Sequence, residues 1–274
     1  NVGRSLFGNG TGALTKVVKQ TTPTTKVEVT DIKYVKEGLI VDFYPTSATT
    51  PNDVVAKQLR IMAINRTKNS NGNYEIILDK APTTALVDGF MTVQNSFNRE
   101  ITGLGAIFDD EVPTIYGVSK ADNPFIKPIV INANDNVEDS IITKALRRAE
   151  KDKNSKVDML LCGDEAYDHY TEYLRVNNIR IEQNTLQGGF KSIQFAFGNR
   201  QVDVVNEMFV PDDEIWGVDT SALELHTQEW KFADLQGGIF NLKENSSVYR
   251  ALLANYGDLI CSNPGGLIRI YNCI

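Results

Sequence analysis

The chain is 274 residues long with 42% hydrophobic and 23% charged residues, long enough for one large domain or two ordinary ones with a proper core. A net charge of −7 and an isoelectric point near 5.0 argue against a protein whose main work is gripping phosphates, and no apolar run approaches the roughly 18 to 20 residues that span a bilayer. The three cysteines, Cys162, Cys261 and Cys273, form neither a CxxC pair nor a disulfide framework; with only His169 and His226 beside them, they read as buried inert thiols in a reducing compartment, not zinc ligands.

Near the start, FGNGTG alternates Gly8, Gly10 and Gly12 with Asn9 and Thr11. The spacing matches neither GxGxxG nor GxxxxGK[ST], so a structural turn before a strand at 13–18 is expected in place of a phosphate cradle. The polar QTTPTT at 20–25 reads as a domain seam. Beyond it come short strand-like runs at 27–29, 32–34, 39–41, 59–64, 74–78 and 90–93. Turn formers separate them: Glu37-Gly38, Tyr44-Pro45, Asn69-Ser70-Asn71-Gly72 and Asp88-Gly89. Asn71-Gly72 between apolar alternations is a hairpin signal, and the spacing predicts a small antiparallel barrel or sandwich. Lys33, Lys36, Arg60, Arg66 and Lys68 are too diluted for an oligonucleotide platform, which needs basic residues interleaved with exposed aromatics; a surface or partner-contact module fits better.

The texture changes at Ile101. Asp109-Asp110-Glu111 before Pro113 reads as a solvated corner more than a cation site, and 125–131 as a proline-punctuated extended run. Residues 137–151 predict a helix, with Val137, Ile141, Ile142, Ala145, Leu146 and Ala149 on one face. Asn136 is placed to cap it, with Glu138 and Asp139 in the first turn and Arg147, Arg148 and Lys151 near the end, as the helix dipole favours. The continuous apolar run at 157–162 suits a buried central strand. Asp164 then caps a helix at 165–176 whose inner side carries Tyr167, Tyr170 and Leu174. His169, between Asp168 and Glu172, is expected at the surface because no nucleophile is placed nearby. Strands follow at 193–197 and 202–205. Met208-Phe209-Val210 then leads through a Pro211-Asp212-Asp213 turn into a strand at 215–218 and an alternating run through Leu223 and Leu225. Gly237-Gly238, Asn245-Ser246-Ser247 and Asn263-Pro264-Gly265-Gly266 break up the final third, and the last strand, 267–271, is expected to be tied into a sheet. The pattern is α+β.

Four landmarks in this order resemble the major capsid proteins of tailed double-stranded DNA bacteriophages with the HK97 fold. They are the glycine-rich turn at 7–12, which follows the long spine helix in that family; the helix at 137–151 with VDMLLCGDEAYDHYTEYL at 157–174; FGNRQVDVVNEMFVPDDEIWGVDTSALEL; and YRALLANYGDLICSNPGGLIRI at 249–270. The resemblance implies a capsid core at 1–21 and 101–274, with an axial domain at about 118–205 plus 258–274, a peripheral part at about 206–257, and a β-rich insertion domain at 22–100. It also implies that the N-terminal arm, the extended loop and most of the spine helix lie before Asn1. A lysine-to-asparagine crosslink occurs in some family members, but the loop carrying the lysine is not in this chain, so no crosslinking residue is assigned.

The function implied is structural: copies forming hexamers and pentamers of an icosahedral head shell, without catalytic, cofactor-binding or metal residues and without a cofactor. Partners implied are further copies, scaffolding, portal and decoration proteins, and packaged DNA through weak non-specific contact only, with no membrane. The place would be the virion, assembled in the host cytoplasm. Three alternatives stand beside it: an encapsulin-like compartment, a tail or baseplate component, and an enzyme using Asp109-Asp110-Glu111 with Asp212-Asp213-Glu214, whose carboxylates would have to converge to about 5–10 Å.

Overall fold

The computed structural model describes residues 2–134, 137–177, 183–185, 191–232, 238–242 and 247–273. The chain divides into two compact units, Asn1–Val112 and Pro113–Ile274. The expected cap Asn136, and Gly237, Asn245 and Ser246 of the predicted breaks, lie outside the described residues.

In the first unit six strands close into a barrel: β1 Ala13–Val17, β2 Lys26–Val29, β3 Ile40–Pro45, β4 Ala56–Asn65, β5 Tyr74–Leu78 and β6 Gly89–Val93, in the order β1-β2-β5-β4-β3-β6. All pairings are antiparallel. The period of two that betrayed the strands also fills the interior. Val27 and Val29, Val41 and Phe43, Leu59 and Ile61, and Ile76 and Leu78 all point into one buried cluster. Closure leaves no strand edge exposed. Asn71-Gly72 does sit in the β4–β5 hairpin, with Gly72 at φ +79° and the Asn69 carboxamide oxygen accepting from the amides of Asn71 and Asn73. Asp42, buried, accepts from the amides of Gln58 and Asn95 at 2.9 Å each, which holds both residues at positive φ.

Several sequence expectations are corrected here. β1 pairs with β2 and β6, so QTTPTT joins two neighbouring barrel strands and is not a seam; the insertion boundary expected at 22 falls between paired strands. Residues 32–34 turn instead of extending, with the Val35 amide donating to the Ile32 carbonyl at 3.0 Å, although Ile32 and Tyr34 still pack on the core. Tyr44-Pro45 does not break β3. Pro45 faces Gly89, where a Cβ would stand 1.9 Å from the Tyr44 carbonyl oxygen, so close backbone approach selects glycine. Two short helices, α1 Val2–Phe7 and α2 Leu104–Phe108, flank the barrel in sequence; α2 has no side-chain cap, no acid in its first turn and no base in its last to mark it.

The second unit opens with a small hairpin, β7 Thr114–Ile115 and β8 Val118–Ser119. Its main layer uses β9 Ile129–Asn132, β10 Met159–Cys162, β11 Gln183–Thr185, β12 Lys191–Phe197, β13 Arg200–Asn206, β14 Ile215–Val218 and β21 Ile268–Tyr271. They form one mixed sheet in the order β11-β12-β13-β10-β14-β21-β9. The apolar run at 157–162 is indeed central: β10 lies parallel to β13 and antiparallel to β14. Helices α3 Asp139–Lys153 and α4 Asp164–Val176 bury Ile142, Ala145, Leu146 and Ala149, and Ala166, Tyr170 and Leu174, in one cluster with the sheet residues Leu160, Val204, Ile215 and Ile268. α3 ends at Asn154 in the left-handed conformation, a C-terminal position that asparagine tolerates.

Two boundaries move. Asp164 is the first residue of α4 and makes no cap bond; the N-cap is Gly163, where a Cβ would meet the Pro211 carbonyl oxygen at 1.9 Å. β14 belongs to the sheet, so the excursion expected from 206 starts only at β15, Leu223–Thr227. There β15 pairs with β20 Gly257–Cys261, β16 Lys231–Phe232 with β19 Leu253–Ala254, and β17 Asn241–Leu242 with β18 Tyr249–Arg250, three nested antiparallel pairings that make a ribbon. No helix among the described residues is long and apolar enough to cross a membrane.

Candidate functional site

The ribbon begins where the sheet ends, and polar groups fix its root. Asp219, just after β14, accepts from the Ser221 hydroxyl at 2.6 Å, the Ser221 amide at 3.1 Å and the Lys156 amide at 2.9 Å. Burial alone would raise its pKa; these donors more than offset that and hold the carboxyl below the usual range. Asp158 takes the amide and hydroxyl of Thr220 beside it. From the other side, the Tyr116 hydroxyl donates to the Leu259 carbonyl at 2.9 Å and accepts the Cys261 amide at 2.8 Å. Tyr116 sits at φ +50° in the turn between β7 and β8, a strained place for an aromatic residue, and these two bonds to β20 are what it gains there.

Beyond this root the ribbon turns apolar side chains outward. Among the described residues, 22 large apolar side chains are substantially exposed, and 12 of them lie between Leu225 and Ile260. Trp230 is 65% exposed, Phe240 68%, Tyr249 66% and Tyr256 71%. Single exposed apolar residues are ordinary, but this density on one two-stranded element is what an interaction surface carries. The sequence contained the signal: from Trp230 to Tyr256 the apolar residues follow neither a period of two nor one of 3.6, so they cannot all turn to one core. The sequence reading set residues of about 206–257 apart but did not single out these side chains.

The other candidate positions are spread over both compact units. Asp109-Asp110-Glu111 and Asp212-Asp213-Glu214 belong to different compact units. Asp109 accepts the Glu111 amide and the Asn9 carboxamide, which closes the turn after α2. Asp212 and Asp213 offer their carbonyls to the amides of Ala166 and Cys273. Glu214 is buried and accepts from Trp216 Nε1 at 2.7 Å and from Arg269 Nε at 2.9 Å and Nη2. In the glycine-rich turn, Asn9 bridges to Thr102 and accepts from the Thr11 hydroxyl, while Gly10 and Gly12 take positive φ. His169 is exposed on α4. The three thiols are buried and unbridged; burial pushes Cys261 up to about 11 and Cys273 up to about 12, and Cys162 higher still. No group of three or more metal-ligating side chains occurs among the described residues.

No family model matches the chain, and no curated protein matches it. Among solved structures it is similar to the cyanophage A-1(L) capsid asymmetric unit, at 15% identity and a TM-score of 0.44, over 65% of this chain and 60% of that one. It is also similar to the holo-SrpI encapsulin complex from Synechococcus elongatus PCC 7942, at 15% identity and a TM-score of 0.40, over 59% of each chain. The chain thus spans about three fifths of the length of each of these two structures.

Proposed function

We propose that this chain is a structural shell subunit, and that the ribbon from Leu223 to Cys261 is a surface through which copies join. The carrying observation is the ribbon itself: rooted by Asp219 and Tyr116, yet carrying 12 of the 22 large apolar side chains that stand exposed among the described residues. Such a surface gains by burial against another protein, at about 25 cal/mol per Å² of apolar area removed from water. In the finer form of the reading, residues of about 118–205 and 258–274 serve as the axial domain, the ribbon as the peripheral part and the barrel as an insertion. Hexamers and pentamers then enclose double-stranded DNA in a phage head. Head-to-tail contacts between copies close such rings, and repetition lets each contact be modest.

Analytical ultracentrifugation and negative-stain microscopy of the chain, across a range of concentrations, test this. Rings or closed angular shells are expected, with loss of higher species in a Trp230→Glu, Phe240→Glu variant. Monomers at every concentration would overturn the reading. The contents of any shells separate its finer forms: packaged DNA for a phage head, enclosed protein for an encapsulin-like compartment.

A further inference from the structure

α3 carries a second, chemically different surface. Its outward side holds Lys144, Arg147, Arg148 and Lys151, a run at i, i+3, i+4 and i+7, all exposed, on a chain whose net charge is −7. Arg148 leans toward Asp152 at 3.9 Å. Among the described residues, Lys144, Arg147 and Lys151 have no carboxylate within ion-pair distance. Arg147 and Lys151 also wall a groove of about 520 Å³ between α3 and the turn joining β12 to β13. On its far side the Arg200 guanidinium is fixed, with Nη1 donating to the Val157 carbonyl at 2.6 Å and the group lying over the Phe197 ring. Acids are present too: Glu150 lines the groove, and Asp139 is occupied by the Tyr170 hydroxyl.

We infer that this face of α3 binds the phosphodiester backbone of nucleic acid. From Lys144 to Lys151 the helix runs about 10 Å at 1.5 Å per residue, the length over which one strand of duplex DNA presents about three phosphates. The cations are exposed, and the aromatic ring lining the groove, Phe197, already has the Arg200 guanidinium over it, so the contact is to backbone and not to sequence. The surrounding negative charge limits it to a local, salt-sensitive grip. An acidic patch on a second copy is the competing occupant.

The test is fluorescence anisotropy with a labelled duplex oligonucleotide, on the full chain. Three neutralised phosphates predict a loss of affinity of roughly forty-fold between 50 and 200 mM salt. Arg147→Glu with Lys151→Glu is expected to weaken binding at least tenfold at the lower salt. Lys57→Glu with Lys80→Glu on the barrel makes the same change in net charge and is expected to stay within twofold of the parent. Circular dichroism checks that both variants fold. Absence of binding at low salt, equal losses in the two variants, or an α3 variant that changes self-association while leaving DNA affinity intact would each overturn the inference.

Discussion

Glu214 shows how a residue that looks like a surface acid in a turn becomes a structural one. It is nearly buried, its carboxylate is shared by Arg269 and the Trp216 indole, and Arg269 stands opposite Trp216 in the β14–β21 ladder. Breaking a buried charged network from one side leaves the other charge uncompensated, so Glu214→Ala is expected to cost about 3 kcal/mol in urea unfolding, with Glu214→Gln costing less. Gly163→Ala tests a different cause. The added methyl would collide with backbone, not with a flexible side chain, so the turn before α4 must shift, and a loss on the order of 3 kcal/mol is expected by the same measurement. The thiols add a pH dependence. Cys261 and Cys273 ionise near 11 and 12 in the folded chain against 9.0 ordinarily, so above about pH 9 the unfolded state releases protons first. Stability therefore holds below pH 9 and falls as pH rises through 11 to 12; urea midpoints measured across that range check it, and a flat profile would contradict it.

At the scale of elements, what the sequence disclosed and what it hid follow from where the determining contact lies. α3 and α4 were legible because their apolar stripes and flanking charges are local: Ile142, Ala145, Leu146 and Ala149 announce a face by themselves. The Asn-Gly hairpin was legible for the same reason. β1 was not assigned to the barrel because its partners include β6, some seventy-five residues away, and QTTPTT looks the same as a seam or as a strand connection. Residues 32–34 carry strand-like side chains yet turn, since Ile32 and Tyr34 pack on the barrel core without joining a ladder. Gly163 and Gly89 were ordinary glycines until the carbonyls opposite them were seen. Of the candidate surface, the segment was legible and the exposure was not, because exposure depends on the pairings of the ribbon. Two bonds from Tyr116 hold the base of that ribbon. Tyr116→Phe removes both and is expected to cost about 1–2 kcal/mol, with amide exchange rising first in β20. Unchanged exchange there would mean that Asp219 and Asp158 fix the root without it.

At the scale of the molecule, each compact unit has its own buried cluster, one inside the barrel and one between the sheet and two helices. Residues 1–112 expressed alone are therefore expected to unfold cooperatively, with barrel-type circular dichroism, as a domain with its own core does. A chain that is disordered without the rest would show that the barrel borrows its stability.

The second unit is ordered differently in time. Among the described residues β21 is the one partner of β9 and the last strand in sequence, and it covers one edge of β14, whose four residues are all buried. During synthesis the barrel can finish early, while the sheet waits for residue 271 with the edge of an apolar strand unpaired. A ribosome-stalled or truncated chain ending before Ile268 should thus display a folded barrel beside a sticky, chaperone-dependent remainder. Only a chain translated through Tyr271 can pair both edges of β14 and so complete the sheet that carries the ribbon.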